Sequence, residues 1–448
     1  MPCILPFMGS IACKFGGTSV ATSDQIRKIA SIVEANAERK FIIVSAPGKR
    51  SSEDQKVTDL FYLAAETSKK GIDATPILDI IKQRFDDIIK GLDLDLSIED
   101  EVNEISAQLK GANKDYAASR GEYLNAKIIA SFLNAEFVDP LENIFFSKDG
   151  TLMVEKTYAS LKESMKSESR YVIPGFYGVS DSTEEVVTFS RGGSDITGAI
   201  IARSVEANLY ENWTDVDGLL MTDPRIVDNP LPIPEVSYKE LRELSYMGAQ
   251  VLHDEAIFPV RELGIPVHIK NTNSPDSQGT RIVDHAEHRA IPIVGIAGKE
   301  DFEAFFIHKA LMNKELGFGR KLLEIFESHG VSFEHFPSGI DTVSVVVSTA
   351  EVDNKRELIL EDIKNHLKVD RVDSIRNLAL IAVVGSGMAH HPGVAATLFS
   401  SMAAEGINIR LIDQGVSEIT IIIGVEMKDF KTSVRAIYQA FIKTINSK

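Results

Sequence analysis

Ile11-Ala12-Cys13-Lys14-Phe15-Gly16-Gly17-Thr18-Ser19-Val20 decides the fold class. A short apolar strand, Ile11–Phe15, runs into two glycines and then into residues able to open a helix. The strand delivers Lys14 to a sheet edge. Gly16 and Gly17 let backbone N–H groups approach an anion, and Thr18-Ser19 are placed to start a helix whose N-terminus adds partial positive charge. The result is a phosphate cradle with its own cation. It is not the Walker motif, because Gly48-Lys49 has Ile43 where GxxxxGK[ST] needs its first glycine. A single turn of this kind is structural more often than functional, so the rest of the chain has to decide.

The same logic returns in Ser190-Arg191-Gly192-Gly193-Ser194-Asp195, which leads into an apolar helix, Ile196 to Ala202. Arg191 offers a fork suited to a carboxylate, and Asp195 can orient a lysine or reach a metal. A third motif, Trp213-Thr214-Asp215-Val216-Asp217-Gly218, is followed by Thr222-Asp223-Pro224-Arg225, a loop with carboxylates and a cation that Pro224 keeps irregular. Asp217 reads as a solvated turn acid more readily than Asp215 does. Strands are expected at Ile11–Phe15, Phe41–Ser45, Tyr171–Gly175, Val186–Ser190, Leu209–Thr214 and Val267–Lys270, alternating with helices as in a sheet covered on both faces. The stretch from about 73 to 110 reads as helices packed over one end, with no chemistry assigned. A helix is expected over Lys239–Val260, with His253 packed beneath it.

The 448 residues favour about three domains. A composition 44% hydrophobic and 25% charged is that of an ordinary globular protein, and a net charge of −17 argues against nucleic acid or an anionic membrane as partner. Cys3 and Cys13 are too few for a disulfide framework and lack zinc spacing. With no basic n-region before the first motif and no apolar run long enough to span a bilayer, a cytoplasmic location is expected.

After residue 290 the chain repeats itself at a constant offset. Gly317, Leu322, Phe326, Gly330, Val331 and Phe333 correspond to Gly393, Leu398, Met402, Gly406, Ile407 and Ile409, and Ser344-Val345-Val346-Val347 to Thr420-Ile421-Ile422-Ile423. Each copy reads strand, helix, strand, strand, helix. The first copy can end on a strand near Arg371–Ile375, whereas the second lacks an edge that Ile291–Ile296 could supply. The expected division is therefore 1–290, an inserted module at 301–376, and a discontinuous module from 291–300 and 377–448. Paired modules of this size suggest small-ligand sensing. Gly385-x-Gly387 is no dinucleotide fingerprint, since His390 occupies the third glycine position, and adjacent His390-His391 make a poor metal pair.

The three motifs in this order, with Ser119-Arg120-Gly121-Glu122 between the first two and Tyr246-Met247-Gly248-Ala249-Gln250-Val251-Leu252-His253 after the third, closely resemble the aspartate kinase family. The resemblance runs from the first motif to the C-terminus and includes paired ACT domains. It implies an α/β amino-acid kinase fold, a carbamate kinase-like three-layer sandwich around a mostly parallel sheet, with two ferredoxin-like ACT modules. It also implies ATP- and Mg²⁺-dependent phosphoryl transfer to the β-carboxylate of L-aspartate, on the diaminopimelate route to lysine, threonine and methionine. By the same resemblance Lys14 and Asp195 are catalytic, and Ser45, Thr58, Glu122, Arg191 and Ser194 bind substrate. Lys14, Gly16, Gly17, Thr214, Asp215, Asp223, Arg225 and Gln250 would bind ATP. Met312, Gly317, Phe318, Gly319, Ser338 and Asp341 would surround an amino-acid effector, with lysine the first choice and threonine or S-adenosylmethionine open. A homodimer through the ACT domains, or a tetramer, is implied, and the chain leaves no room for a fused homoserine dehydrogenase.

Two departures stand out. Gln250 replaces the usual lysine and Asp254 the usual proline, so a cation near the nucleotide is lost and an anion gained. The loop Pro47–Lys56 is polar and longer than a tight turn, which suggests a lid. A kinase of the same fold acting on glutamate, N-acetylglutamate or UMP is the rival enzyme, opposed by the KFGGTSV string and the ACT pair. A non-catalytic amino-acid sensor is the rival of another class, opposed by the retention of Lys14, Arg191 and Asp195.

Overall fold

The computed structural model describes residues 9–166, 169–190, 192–249, 252, 254–286 and 291–446. Arg191, Gln250 and His253 lie outside them, as does Cys3, and the Asp254 side chain is likewise not described. In chain order the elements are β1 (Ile11–Phe15), α1 (Ser23–Glu34), β2 (Arg39–Val44), α2 (Val57–Lys69), α3 (Thr75–Gly91), α4 (Glu99–Leu109), α5 (Lys114–Leu133), β3 (Glu136–Phe137), β4 (Phe145–Phe146), α6 (Val154–Ser164), β5 (Tyr171–Pro174), β6 (Tyr177–Ser180), β7 (Val186–Thr188), α7 (Gly193–Ser204) and β8 (Leu209–Thr214). They continue with β9 (Glu235–Ser237), α8 (Tyr238–Tyr246), α9 (Phe258–Arg261), β10 (Val267–Asn271), β11 (Thr280–Val283), β12 (Gly295–His308), α10 (Phe318–Ser328), β13 (Thr342–Ser348), α11 (Thr349–Val352), α12 (Arg356–Leu367), β14 (Arg371–Val384), α13 (Val394–Ala404), β15 (Leu411–Gln414), β16 (Thr420–Glu426) and α14 (Phe430–Asn446).

The chain forms two compact units. The first takes residues up to Leu219 with Pro232–Lys239 and Gln250–Ala286; the second takes Leu220–Leu231, Glu240–Ala249 and Glu287–Lys448. Two stretches of the first 290 residues thus pack with the second unit.

The first unit is built on an eight-stranded sheet in the order β3-β5-β2-β1-β8-β10-β11-β9, with a three-stranded sheet β4-β6-β7 beside it. Every pairing in the large sheet is parallel except β10 with β11. β1 lies between β2 and β8, so crossovers leave it in both directions and the crevice at its C-terminal end is the switch point where such sheets take ligands. Side chains alternate across the strand. Cys13 and Phe15 join Ile42, Val44, Val172 and Trp213 in a core with α1 to α5, while the intervening face of β1 packs on α7. The helices expected between 73 and 110 are α3 and α4, amphipathic and packed into that core through Leu78, Ile81, Phe85, Val102 and Ile105.

The expected helix over Lys239–Val260 is not one element. α8 stops at Tyr246 because Gly248 adopts φ +103°, a left-handed geometry that ends a helix. A 3₁₀ turn at Asp254–Ile257 and the short α9 follow. The first motif also departs from expectation. Gly17–Val20 is a four-residue 3₁₀ turn, and the α-helix begins only at Ser23, where Thr22 accepts from the Gln25 N–H.

The second unit carries one five-stranded antiparallel sheet, β13-β12-β14-β16-β15. β12 and β14 are each 14 residues long and run through both repeat copies. Phe302–His308 of β12 pairs with β13 and with Arg371–Leu378, whereas Gly295–Lys299 pairs with Leu380–Val384, the part of β14 that also meets β16. The register shifts between Lys299 and Ala304, where the copies meet. The repeated glycines sit at matching places: Gly317 and Gly393 open α10 and α13 with φ +76° and +95°, and Gly330 and Gly406 follow those helices with φ +63° and +66°. Only residues without a Cβ adopt these angles at little cost, which is why the repeat was visible. The Phe305 ring, fully buried, packs edge-on against Phe326 at 5.2 Å in the core beneath β12 and α10. Phe305→Ala is expected to destabilise the second unit by about 3–5 kcal/mol, read as a lower urea midpoint of its unfolding step.

Candidate active site

Register sets the centre of the site. Lys14 of β1 lies directly across from Asn212 of β8, both on the face that packs against α7. Their side chains converge on one atom: Lys14 Nζ lies 2.6 Å from Asp195 Oδ1, and Asn212 Nδ2 donates to the same oxygen at 2.8 Å. Asp195 stands in the first turn of α7, which Gly192 opens in a left-handed conformation (φ +57°). The Tyr210 hydroxyl donates to the Asp195 carbonyl at 3.0 Å and fixes that turn from below. Lys14 is 8% exposed, so its charge is partly withdrawn from water and is balanced there by Asp195.

Glycines let neighbouring backbones close around this pair. A Cβ at Gly48 would lie 2.7–2.9 Å from the Gly17 carbonyl and the Thr18 nitrogen, and the Gly48 N–H donates to the Gly17 carbonyl at 2.8 Å. A Cβ at Gly175 would collide with Ser194, and one at Gly121 with the Ala46 side chain at 2.8 Å. The Gly16 N–H is engaged by the Trp213 carbonyl at 3.0 Å, which locks the turn after β1 to the end of β8.

The Gly121–Ala46 approach brings Glu122 of α5 to the end of β2. Glu122 is 6% exposed; the Ala46 backbone N–H binds its carboxylate, and Oε2 has no partner among the described residues. Burial dominates and pushes its pKa up to about 8, with the Ala46 hydrogen bond and the charge of Arg120 acting in the opposite direction. Arg120 is itself buried, donating to the Ser119 hydroxyl at 2.9 Å and ringed by Tyr116, Tyr123 and Tyr177. One turn beyond Glu122, Asn125 Nδ2 donates to the Ser45 carbonyl at 2.7 Å and holds that residue at the strand end.

The remaining expected residues divide. Thr58 is half-buried in the first turn of α2, and Thr214 donates to Asp215 at 3.3 Å at the end of β8, where Asp215 is exposed. Asp217, read as a solvated acid, is exposed and also accepts from Asn271 at 3.0 Å. Asp223 and Arg225 belong to the second unit and pair with each other at 2.7 Å, Arg225 being largely exposed. In the same unit Met312 and Phe318 are buried and Gly317 and Gly319 flank the start of α10. Asp341 accepts from the Leu311 N–H at 2.8 Å, which ties the 309–319 loop to the turn that carries Ser338. Asn212 and Asn125 were not singled out from sequence, and Gly48 entered only to exclude the Walker motif; an amide inside a strand or helix and a glycine in a polar loop give no motif.

Among the described residues no group of three or more His, Cys, Asp or Glu could hold a metal ion, and no helix is long and apolar enough to cross a membrane.

The amino acid kinase family model matches residues 10–271, and an ACT domain model matches residues 381–441. Aspartokinase 3 of Bacillus subtilis is 39% identical over 96% of this chain and 98% of its own length. The aspartate kinase of Clostridium acetobutylicum, a solved structure, is 50% identical, covers 97% of this chain and 100% of its own, and superposes with a TM-score of 0.88. Aspartokinase III of E. coli, solved in complex with aspartate and ADP, superposes with a TM-score of 0.74 over 97% of this chain at 23% identity, and shares the fold. The chain belongs to the amino acid kinase family and, within it, to the aspartokinases.

Proposed function

We propose that the chain transfers the γ-phosphoryl group of ATP to the β-carboxylate of L-aspartate, giving 4-phospho-L-aspartate and ADP on the diaminopimelate route to lysine, threonine and methionine. The observation that carries this reading is the presence in one unit of a crevice cation, Lys14, held by Asp195, and a buried carboxylate, Glu122, held by the Ala46 N–H, whose Oε2 has no partner among the described residues. One end suits a phosphate and the other an ammonium. A carboxylate nucleophile is already ionised at neutral pH, so no general base is required. Its oxygen bonds to the γ-phosphorus as the bond to the β-phosphate oxygen breaks and the electron pair leaves with ADP. What the protein supplies is alignment and compensation of the developing charge.

In this reading Lys14 meets the transferring group with Gly16 and Gly17 beside it, and Asp195 orients Lys14. Glu122 receives the substrate ammonium and Arg191 its α-carboxylate, with Ser45, Thr58 and Ser194 completing that end. Thr214, Asp215, Asp223, Arg225 and Gln250 serve the nucleotide. Mg²⁺ arriving on the phosphates needs few protein ligands. Asp195 fits that demand, since Lys14 and Asn212 both bind its Oδ1; the ion would offset phosphate charge.

We assign residues 1–290 to the kinase domain, 301–376 to one ACT domain and 291–300 with 377–448 to a second. We further assign an amino-acid effector, lysine before threonine or S-adenosylmethionine, to the surroundings of Met312, Gly317, Phe318, Gly319, Ser338 and Asp341. The convergence of the 309–319 loop with Asp341 supports it. A cytoplasmic homodimer or tetramer through the ACT domains completes the proposal.

Hydroxylamine trapping with Mg·ATP is expected to yield a hydroxamate with aspartate and not with glutamate, and millimolar lysine to suppress it; no hydroxamate with any acidic amino acid would favour the non-catalytic sensor. Lys14→Ala should lower kcat by at least about 100-fold, while lysine still raises the melting temperature. Simultaneous loss of both would refute the division of labour. Glu122 is mostly protonated below its value of about 8 and must ionise to receive an ammonium, so aspartate binding releases a proton there. Affinity should therefore rise by about tenfold per pH unit from pH 6.5 towards 8 and then level off. Glu122→Gln should bind aspartate weakly with that slope abolished, as titration calorimetry in two buffers would show.

A further inference from the structure

The helical stretch after residue 73 was assigned no chemistry, yet α3 sends one side chain into the back wall of the site. Arg84 is 4% exposed. Its Nη1 donates to the Gln55 carbonyl at 2.8 Å and lies 2.9 Å from Asp54 Oδ2, and its Nη2 donates to the Gly48 carbonyl. Asp54 in turn accepts from the Arg50 backbone at 2.9 Å and from Arg50 Nε at 3.0 Å, and these two guanidinium groups hold its carboxyl well below the usual range. One planar fork thus joins the two ends of the loop from Gly48 to Gln55, a segment without strand or helix of its own.

Both ends matter. Gly48 packs directly on Gly17 and Thr18, and Gln55 immediately precedes the N-terminus of α2, which carries Thr58. The hydrogen bonds of Arg84 go to loop carbonyls, its Nε has no partner among the described residues, and the buried charge is balanced by Asp54 on the same loop. A guanidinium that merely anchored α3 would have no reason to span the two loop ends. We propose that Arg84 is a positioning residue for the phosphoryl transfer: with Asp54 and Arg50 it clamps the Gly48–Gln55 loop shut, pressing Gly48 onto the phosphate-binding turn and fixing the first turn of α2. The proposal rests on the kinase reading above, and it makes the Pro47–Lys56 loop a pinned element and not a mobile lid.

A cavity of about 580 Å³ lined by Arg50, Asp54, Asp79, Gln83 and Asp87 opens beside Arg84 and gives a small cation access to the position. The test compares wild type, Arg84→Ala and Arg84→Lys by hydroxamate formation, melting temperature and hydrogen exchange of the 48–57 amides. Arg84→Ala should raise KM for both substrates and lower kcat, with kcat/KM down by about 100-fold. Arg84→Lys keeps the charge but not the fork and should recover no more than about a tenth of the loss. Millimolar methylguanidinium should restore turnover to the alanine variant saturably, while equal sodium chloride should not. Exchange across 48–57 should quicken in the alanine variant whatever the catalytic result. Wild-type constants in Arg84→Ala, unchanged exchange, or a loss that tracks only a lower melting temperature and is not rescued would each overturn the clamp. Should that variant not fold, Asp54→Asn takes its place, with a several-fold rise in KM for both substrates expected at a temperature where circular dichroism shows the variant folded, and an unchanged KM overturning the proposal. Wild type without hydroxamate overturns the kinase reading, while the exchange experiment still decides the clamp.

Discussion

Backbone-to-backbone contact at Gly17 and Gly48 is the constraint from which the first unit's site follows. The turn after β1 and the turn after β2 approach so closely that no side chain fits between them. That distance sets where the Ala46 N–H lies, and the Ala46 N–H in turn helps to hold the Glu122 carboxylate. Gly121 repeats the device from the helix side and Gly175 from beneath Ser194. Three strand ends, the first turn of α7 and the middle of α5 are thereby drawn to one crevice without large side chains to fill it, which leaves room for ligands.

Charge is handled by pairing within the crevice. Lys14 is not left alone against the sheet, since Asp195 meets it and Asn212 keeps that carboxylate from turning away. The pair costs less to bury than either ion would, and in the proposed reading an incoming phosphate finds a lysine already oriented. Glu122 is the counterpoint. It is desolvated, with one oxygen lacking a partner among the described residues, an arrangement that disfavours its ionised form. In the proposed reading, ammonium binding and ionisation at that residue are one event.

Much of this was legible in the chain because glycine and strand patterns report backbone geometry directly. β1 and β8 have the bounds read from sequence, and the repeat after residue 290 was found through residues such as Gly317 and Gly393, which share a left-handed role at equivalent helix starts. The resemblance in Ser119-Arg120-Gly121-Glu122 singled out Glu122, while its burial against the Ala46 N–H depends on Gly121 meeting Ala46, a contact between residues far apart in sequence. Asn125, Asn212 and Arg84 escaped notice for a common reason. Each acts by where the fold points it, and a polar residue inside an amphipathic helix or a strand carries no local mark of that direction. Helix ends were the least legible feature: the expected helix over Lys239–Val260 broke at Gly248, and the turn after Gly16 closed as 3₁₀.

The long strands β12 and β14 have a consequence for how the chain assembles. Gly295–Lys299 leaves the ribosome well before its partner Leu380–Val384, whereas Phe302–His308 can be covered sooner by β13. The β13 end of the sheet can therefore condense while one strip of β12 is still an open edge, waiting for residues synthesised much later. Translation in this region passes through an interval in which Gly295–Lys299, continuous with an already folded strand, is exposed to pairing with the wrong neighbour. Its sequence, with two glycines and a lysine in five residues, is poorly suited to such mispairing.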